Sequence, residues 1–143
     1  MKIEIRYQSR GGNTKEVAET IAKTIGITAE TIDKPLSGPV DILFIGGGVY
    51  KWGLDPSLTQ FLNNLDPAAV KSAAAFTTAS GTDRTGAIVS AVKAKGIAVE
   101  KETLPVKVGF RNHAWLGGKG CIKLKEKEIR LITAFADKIV NQN

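Results

Sequence analysis

Within Ser9-Arg10-Gly11-Gly12-Asn13-Thr14 the chain sets two hydroxyls, two glycines and a guanidinium between an apolar run, Ile3 to Tyr7, and an amphipathic one. The chemistry these residues suit is the binding of a phosphate. Free amides at a helix start attract an anion, hydroxyls at Ser9 and Thr14 can donate to it, and the glycines let backbone approach closely. A Walker loop would close on Gly-Lys-Ser/Thr where this chain has Gly12-Asn13-Thr14, and the G-x-G-x-x-G dinucleotide spacing is absent. A mononucleotide phosphate fits better. The plain alternative is an ordinary strand-to-helix turn, in which Gly and Asn serve as turn residues.

Two further segments join this one. Gly46-Gly47-Gly48-Val49-Tyr50-Lys51-Trp52-Gly53 reads as a glycine-rich loop that ends at Asp55-Pro56, a helix cap followed by a first-turn proline. Two aromatics in such a loop are poor core material. Tyr50 or Trp52 could flank a flat ring, adding about 1 kcal/mol of ring geometry to apolar burial; Trp52 folding inward as a plug is the alternative. Thr77-Thr78-Ala79-Ser80-Gly81-Thr82 is a generic Ser/Thr/Gly turn whose weight comes from its place after a strand. Cys121 and His113 are each the sole residue of their type. That excludes an internal disulfide, a zinc site of four Cys or His ligands and an iron-sulfur cluster held by this chain alone. Redox chemistry would need an organic cofactor. A Cys121–His113 nucleophile pair would lack an acidic residue between them to orient it. Around them, Phe110 and Trp115 read as anchors of a surface loop, with His113 and Trp115 lining a ligand rim as the other possibility.

Positioning these loops requires a sheet. Strand-like runs at Ile3 to Tyr7, Ala29 to Ile32, Ile42 to Ile45, Ala73 to Thr78 and Ile97 to Val108 alternate with helical periodicity at Asn13 to Ile25, Pro56 to Asn64, Arg84 to Lys95 and Lys125 to Asn141. Such alternation predicts a parallel sheet wound on both faces. Val17, Ala18, Ile21, Ala22 and Ile25 form the buried stripe of the first helix; Ile129, Ile132, Phe135, Ala136 and Ile139 form that of the last. Between Ile32 and Asp41, two prolines and a glycine leave no room for a helix, so the second strand returns by a shortened crossover. Glu4 and Arg6 alternate with apolar residues in the first strand and are expected to face that thinly covered side, in contact with solvent.

The motifs resemble those of flavodoxins, whose first loop reads roughly T/S-x-T-G-x-T. Ser9, Gly12, Asn13 and Thr14 match; Gly11 stands where the family usually has Thr, and Arg10 adds an uncommon charge. Val49-Tyr50 falls where the family places an aromatic against the flavin, with Gly47-Gly48 in place of the frequent Ser-Pro, which suggests a more mobile loop. The resemblance implies one α/β domain over residues 1–143, a flavodoxin-like three-layer sandwich with a five-stranded parallel sheet in the order 2-1-3-4-5, and bound FMN. By the same resemblance Ser9, Arg10, Gly11, Gly12, Asn13 and Thr14 would meet the phosphate. Gly48, Val49, Tyr50, Lys51, Trp52 and Gly53 would flank the ring, and Thr78, Ala79, Ser80 and Gly81 would meet its pyrimidine edge. No catalytic residue or metal is implied. The implied role is to carry electrons between a reductase and an acceptor protein; the alternatives are a flavin-dependent oxidoreductase acting on a quinone or porphyrinogen, and a binding module without FMN.

With 143 residues, 43% of them hydrophobic, the chain suits one domain with a workable core. Its longest apolar runs are too short to span a bilayer, and Met1-Lys2-Ile3-Glu4 lacks a secretory core, so a cytoplasmic location is expected. Charge departs from the resemblance, since flavodoxins are generally acidic and this chain carries 20 Lys+Arg against 14 Asp+Glu. Residues 1–72 hold 8 basic and 8 acidic side chains, whereas residues 73–143 hold 12 and 6, so the C-terminal half carries the whole excess. Lys119, Lys123, Lys125, Lys127 and Arg130 cluster at the start of the last helix, where they oppose its dipole. An acidic redox partner is one reading and a solvated helix face the other; nucleic acid is disfavoured because no aromatics interleave the lysines. Arg10 and Lys51 near a flavin would raise the potential of its last reduction step.

Overall fold

The structure, a computed structural model, describes residues 1–50, 53–108 and 123–143. Strand β3 (Val40–Tyr50) lies at the centre of the sheet. It pairs in parallel with β1 (Ile3–Gln8) on one side and β5 (Val70–Ala79) on the other, and β2 (Ala29–Thr31) lies outside β1. The fifth position is shared by two short strands, β6 (Ala98–Val99) and β7 (Leu104–Lys107), both parallel to β5. The parallel order is therefore the expected 2-1-3-4-5, with its last strand broken. β4 (Gly53–Leu54) is an antiparallel addition to the end of β3.

The break corrects the expectation of one strand over Ile97 to Val108. Ala73 pairs with Val99 and Phe76 with Leu104, so three steps along β5 are matched by five along the partner. The surplus is taken up at Glu100 to Thr103, and polar contacts hold it. The Glu100 amide donates to Ala73 O at 2.8 Å, its carboxylate accepts from Ser72 Oγ at 3.0 Å, and Glu102 pairs with Lys138 Nζ at 2.9 Å.

Helices α1 (Asn13–Ile25) and α4 (Glu126–Asn141) cover one face, while α2 (Pro56–Asn63) and α3 (Gly86–Ala94) cover the other. Because side chains alternate along a strand, β3 feeds both cores: Ile42 and Phe44 meet α1 and α4, and Leu43 and Ile45 meet α2 and α3. Phe44 and Phe135 meet edge to face, 5.8 Å between centroids, which docks α4 on the sheet. The buried stripe of α4 begins at Ile132, and Ile129, expected within it, is 41% exposed.

The helix-free crossover at residues 33–38 faces Glu4 and Arg6, as the alternation in β1 suggested, but solvent does not reach Arg6, which is 1% exposed. The reason is the backbone of the crossover itself. Without a helix its carbonyls have no internal donors, and the guanidinium supplies them: Nε donates to Lys34 O at 2.9 Å and Nη2 to Pro35 O at 2.8 Å. Nη1 donates to Ile5 O and Nη2 also to Glu4 Oε1, at 2.9 and 2.8 Å. Glu4 in turn accepts from the Ser37 amide and hydroxyl at 3.2 Å each. Burial pushes the Glu4 carboxyl up, but the bonds from Arg6 and Ser37 outweigh it and leave it below the usual range. Ile32 and Leu36 cover the second core beneath.

Replacing Arg6 by Leu strands the carbonyls of Lys34 and Pro35 and leaves Glu4 without its counter-charge, so Arg6→Leu is expected to cost about 3 kcal/mol in urea unfolding. A loss under about 1 kcal/mol would mean that water serves the crossover as well as the guanidinium does.

Candidate functional site

The loop between β1 and α1 is closed by its own residues. Gly12 caps α1 at φ 97°, in the left-handed region open to glycine, and its amide donates to Ser9 Oγ at 3.0 Å. Among the described residues no side chain caps this helix start. Its positive end borders a cavity of about 500 Å³ walled by Ser9, Arg10, Gly12, Lys15, Asp33 and Ser57. Thr14 points inward, 2% exposed, and its hydroxyl meets that of Thr78 at 2.8 Å. That buried bond ties the first loop to the end of β5.

Gly46, Gly47 and Gly48 are not a mobile loop. They are buried in β3, where Gly46 and Gly47 pair with Tyr7 and Gln8 on one side and all three pair with Phe76 to Thr78 on the other. A Cβ at Gly46 would stand 1.9 Å from the Phe76 ring, one at Gly47 2.3 Å from Leu58 Cδ2, and one at Gly48 2.7 Å from Tyr50 Oη. The glycines are present because neighbours lie directly on the backbone. Past them the strand turns back, with Val49 opposite Leu54 and Tyr50 opposite Gly53. Lys51 and Trp52, expected to flank a ring, lie outside the described residues, as do Phe110, His113, Trp115, Lys119 and Cys121.

Tyr50 and Arg10, from separate loops, stack. The guanidinium carbon lies 3.9 Å from the ring centroid, and Nε pairs with Asp55 Oδ2 at 2.8 Å. Gln8 Nε2 reaches the same oxygen at 3.3 Å. The other oxygen of Asp55 caps α2, accepting from the Ser57 amide at 2.9 Å and hydroxyl at 2.6 Å. These Ser57 bonds, with Arg10 behind them, hold the Asp55 carboxyl below its ordinary value. Burial pushes the Tyr50 phenol up, against hydrogen bonds from the Arg10 backbone and the Gln8 side chain that pull it down. The partnership of Asp55 was missed in the sequence, which marked it only as a cap.

Thr77, Thr78 and Ala79 are buried at the end of β5, and Ser80 and Gly81 stand exposed beyond it. Along one row the pairing runs from Gln8 through Gly47 to Thr77. The buried Gln8 Oε1 and Thr77 Oγ1 of that row have no hydrogen-bond partner among the described residues. Ser9, Arg10, Gly11, Gly12, Asn13, Thr14, Gly48, Val49, Tyr50, Gly53, Thr78, Ala79, Ser80 and Gly81 thus gather at the carboxyl ends of β1, β3 and β5. Ligands of open α/β sheets bind at that end, where the strand order reverses. The described residues hold no group of three or more His, Cys, Asp or Glu suited to a metal ion.

A family model for the flavodoxin domain matches residues 4–111. Among solved structures, oxidised flavodoxin 2 from Bacillus cereus aligns over 100% of both chains with TM-score 0.74 and 18% identity. Two-electron reduced flavodoxin from Megasphaera elsdenii aligns with TM-score 0.59 at 17% identity, over 94% of this chain and 98% of its own. Rubredoxin oxygen:oxidoreductase from Desulfovibrio gigas matches 99% of this chain with 35% of its own, at TM-score 0.72 and 14% identity. These likenesses establish the fold. No significant match is found among curated proteins.

Asp55→Ala removes both the cap and the partner of Arg10, and is expected to cost about 1 kcal/mol in thermal or urea unfolding, while Asp55→Asn, which can still cap, costs less. A carboxyl whose pKa falls on folding contributes stability above its unfolded value and loses it as pH drops through the folded value. The wild type should therefore lose this contribution below the usual Asp range, and Asp55→Asn should lose less across the same acid titration. Equal acid sensitivity of the two would exclude Asp55 as a source.

Proposed function

Since the chain belongs to the flavodoxin domain family and is thereby a flavin-binding redox protein, we propose that its flavin is FMN and that it carries electrons between a reductase and an acceptor protein. The observation that supports this most is the convergence of three loops on one rim, joined by the buried Thr14–Thr78 bond. The residues suit one phosphate and one flat ring. An uncapped helix start with Ser9 and Gly12 accepts a single anion, and Tyr50 at the end of β3 supplies an aromatic ring on the same rim.

When bound, FMN supplies the capacity to take up and release one or two electrons; the chain's own residues bind and tune it. Ser9, Gly12, Asn13 and the start of α1 would hold the phosphate, with Arg10 supplying positive charge above Tyr50. Thr78, Ala79, Ser80 and Gly81 would meet the polar edge through backbone and hydroxyl groups. Asp55 offsets the charge of Arg10 at 2.8 Å, so the positive surround expected from Arg10 and Lys51 is weaker on the Arg10 side. The described helices include none long and apolar enough to cross a membrane.

Titrating the purified protein with FMN tests the reading. Saturable binding at one equivalent, with shifted flavin bands and quenched aromatic fluorescence, is expected. A folded protein that ignores FMN would instead be a binding module. Tyr50→Ala should weaken binding about fivefold, the equivalent of about 1 kcal/mol of ring contact. Asp55→Asn, by freeing the charge of Arg10, should raise the midpoint potential of the FMN-loaded protein; an unchanged potential would show that Arg10 does not tune it.

A further inference from the structure

A second cavity, of about 570 Å³, opens where the Ser80–Gly81 turn, β7 and the first turns of α4 meet. Leu104 and Val106 form its floor and Leu131 one wall, while Lys107, Lys125 and Lys127 stand around it. Leu131 is 56% exposed, one of three large apolar side chains so exposed among the described residues. Leu131 follows Lys127 by one helical turn, so cation and apolar group share a face. A small apolar centre ringed by charges is the composition of transient protein interfaces.

Hydrogen bonds from Thr85 and, to a lesser degree, the charge of Lys107 hold the Asp83 carboxyl below its usual range, so Asp83 partly offsets Lys107, whereas the other acidic side chains nearby have further partners. Glu126 pairs with Arg130 at 3.2 Å, Glu128 accepts from the Lys125 amide at 2.9 Å, and Glu102 pairs with Lys138 at 2.9 Å. The cations left on this face belong to the half of the chain that carries all the excess positive charge. They also adjoin Ser80 and Gly81, which the functional reading assigns to the edge of the flavin.

We propose that the face formed by Lys107, Lys125, Lys127 and Leu131 is the docking surface for an acidic electron-transfer protein. The proposal rests on the flavin-carrier reading and names the chemistry of its partner. Charge on the rim steers encounter and orients the partner, and Leu131 supplies the contact that excludes water. Nucleic acid fits less well, because no described aromatic side chain stands among the lysines to stack a base.

The experiment titrates the 15N-labelled, FMN-loaded protein with an acidic plant-type ferredoxin at low salt and follows the amide shifts. Shifts confined to Ser80, Lys107 and Lys125 to Leu131, lost at about 0.5 M salt, are expected. Lys125→Glu/Lys127→Glu should weaken binding about tenfold, and Leu131→Gln should weaken it without changing its salt dependence. Acidic residues at a helix start favour the dipole, so the double variant keeps α4. Lys71→Glu/Lys93→Glu makes the same change in net charge at the opposite end of the sheet and should leave affinity within about twofold.

Shifts on another face, equal effects of the two double variants, or a single-stranded oligonucleotide that moves the same amides more strongly would each overturn the proposal. Flavin bands are read separately. A colourless protein that still docks ferredoxin on this face would sink the flavin reading alone, and a yellow one that does not dock would sink the docking surface alone.

Discussion

Three consecutive residues without side chains, at the carboxyl end of the central strand, are the constraint on which both cores and the site depend. Phe76 lies on Gly46, Leu58 on Gly47 and the Tyr50 hydroxyl on Gly48, each nearer than any Cβ would allow. The cost is backbone entropy, since glycine loses the most freedom on ordering. The gain is contact: β5 presses a ring onto β3 from one face, and α2 seats Leu58 from the other. The strand remains regular through this stretch because β5 pairs with all three glycines and β1 with the first two.

Arg6 solves a different problem. A parallel crossover is usually a helix, which satisfies its own backbone; here the crossover is short and proline-rich, and its carbonyls would be left to water over an apolar core. The guanidinium, with its fixed fork of donors, serves two of those carbonyls, and Glu4 balances its charge while accepting from Ser37. A buried ion pair is poor evidence of stability by itself, because desolvation offsets attraction. This one is tolerated because Arg6 also makes backbone hydrogen bonds that no apolar replacement could make.

The electrostatics of the site follow a local logic that net charge conceals. Arg10 is half exposed, yet Asp55 and Tyr50 hold it in place, so its charge is delivered to one spot and partly cancelled there. Asp55 links the loop between β1 and α1 to the start of α2, and the Thr14–Thr78 bond links the same loop to β5. The lysines of α4 lie apart from this system.

Much of this was legible along the chain. Helix α1 was readable to the residue, because its apolar stripe and flanking glycines are local signals, and Asp55-Pro56 announced α2 for the same reason. The alternation of strand and helix, with the glycines between Ser9 and Thr14, determined a parallel α/β sheet with a tight turn from β1 into α1. Other features depend on residues distant in sequence, and only the tertiary structure decided them. Gly46 to Gly48 read as a loop because glycine is a turn residue in isolation; the positions of Phe76 and Leu58 made them strand. Arg6 read as solvated because a charge is costly to bury until the carbonyls of Lys34 and Pro35 arrive to meet it. The broken fifth strand was hidden because register with β5 is a property of the pair. Local spacing records which backbone conformations a segment favours, whereas close approach, register and the neutralising of charge are settled by whichever partners the fold brings within a few ångströms.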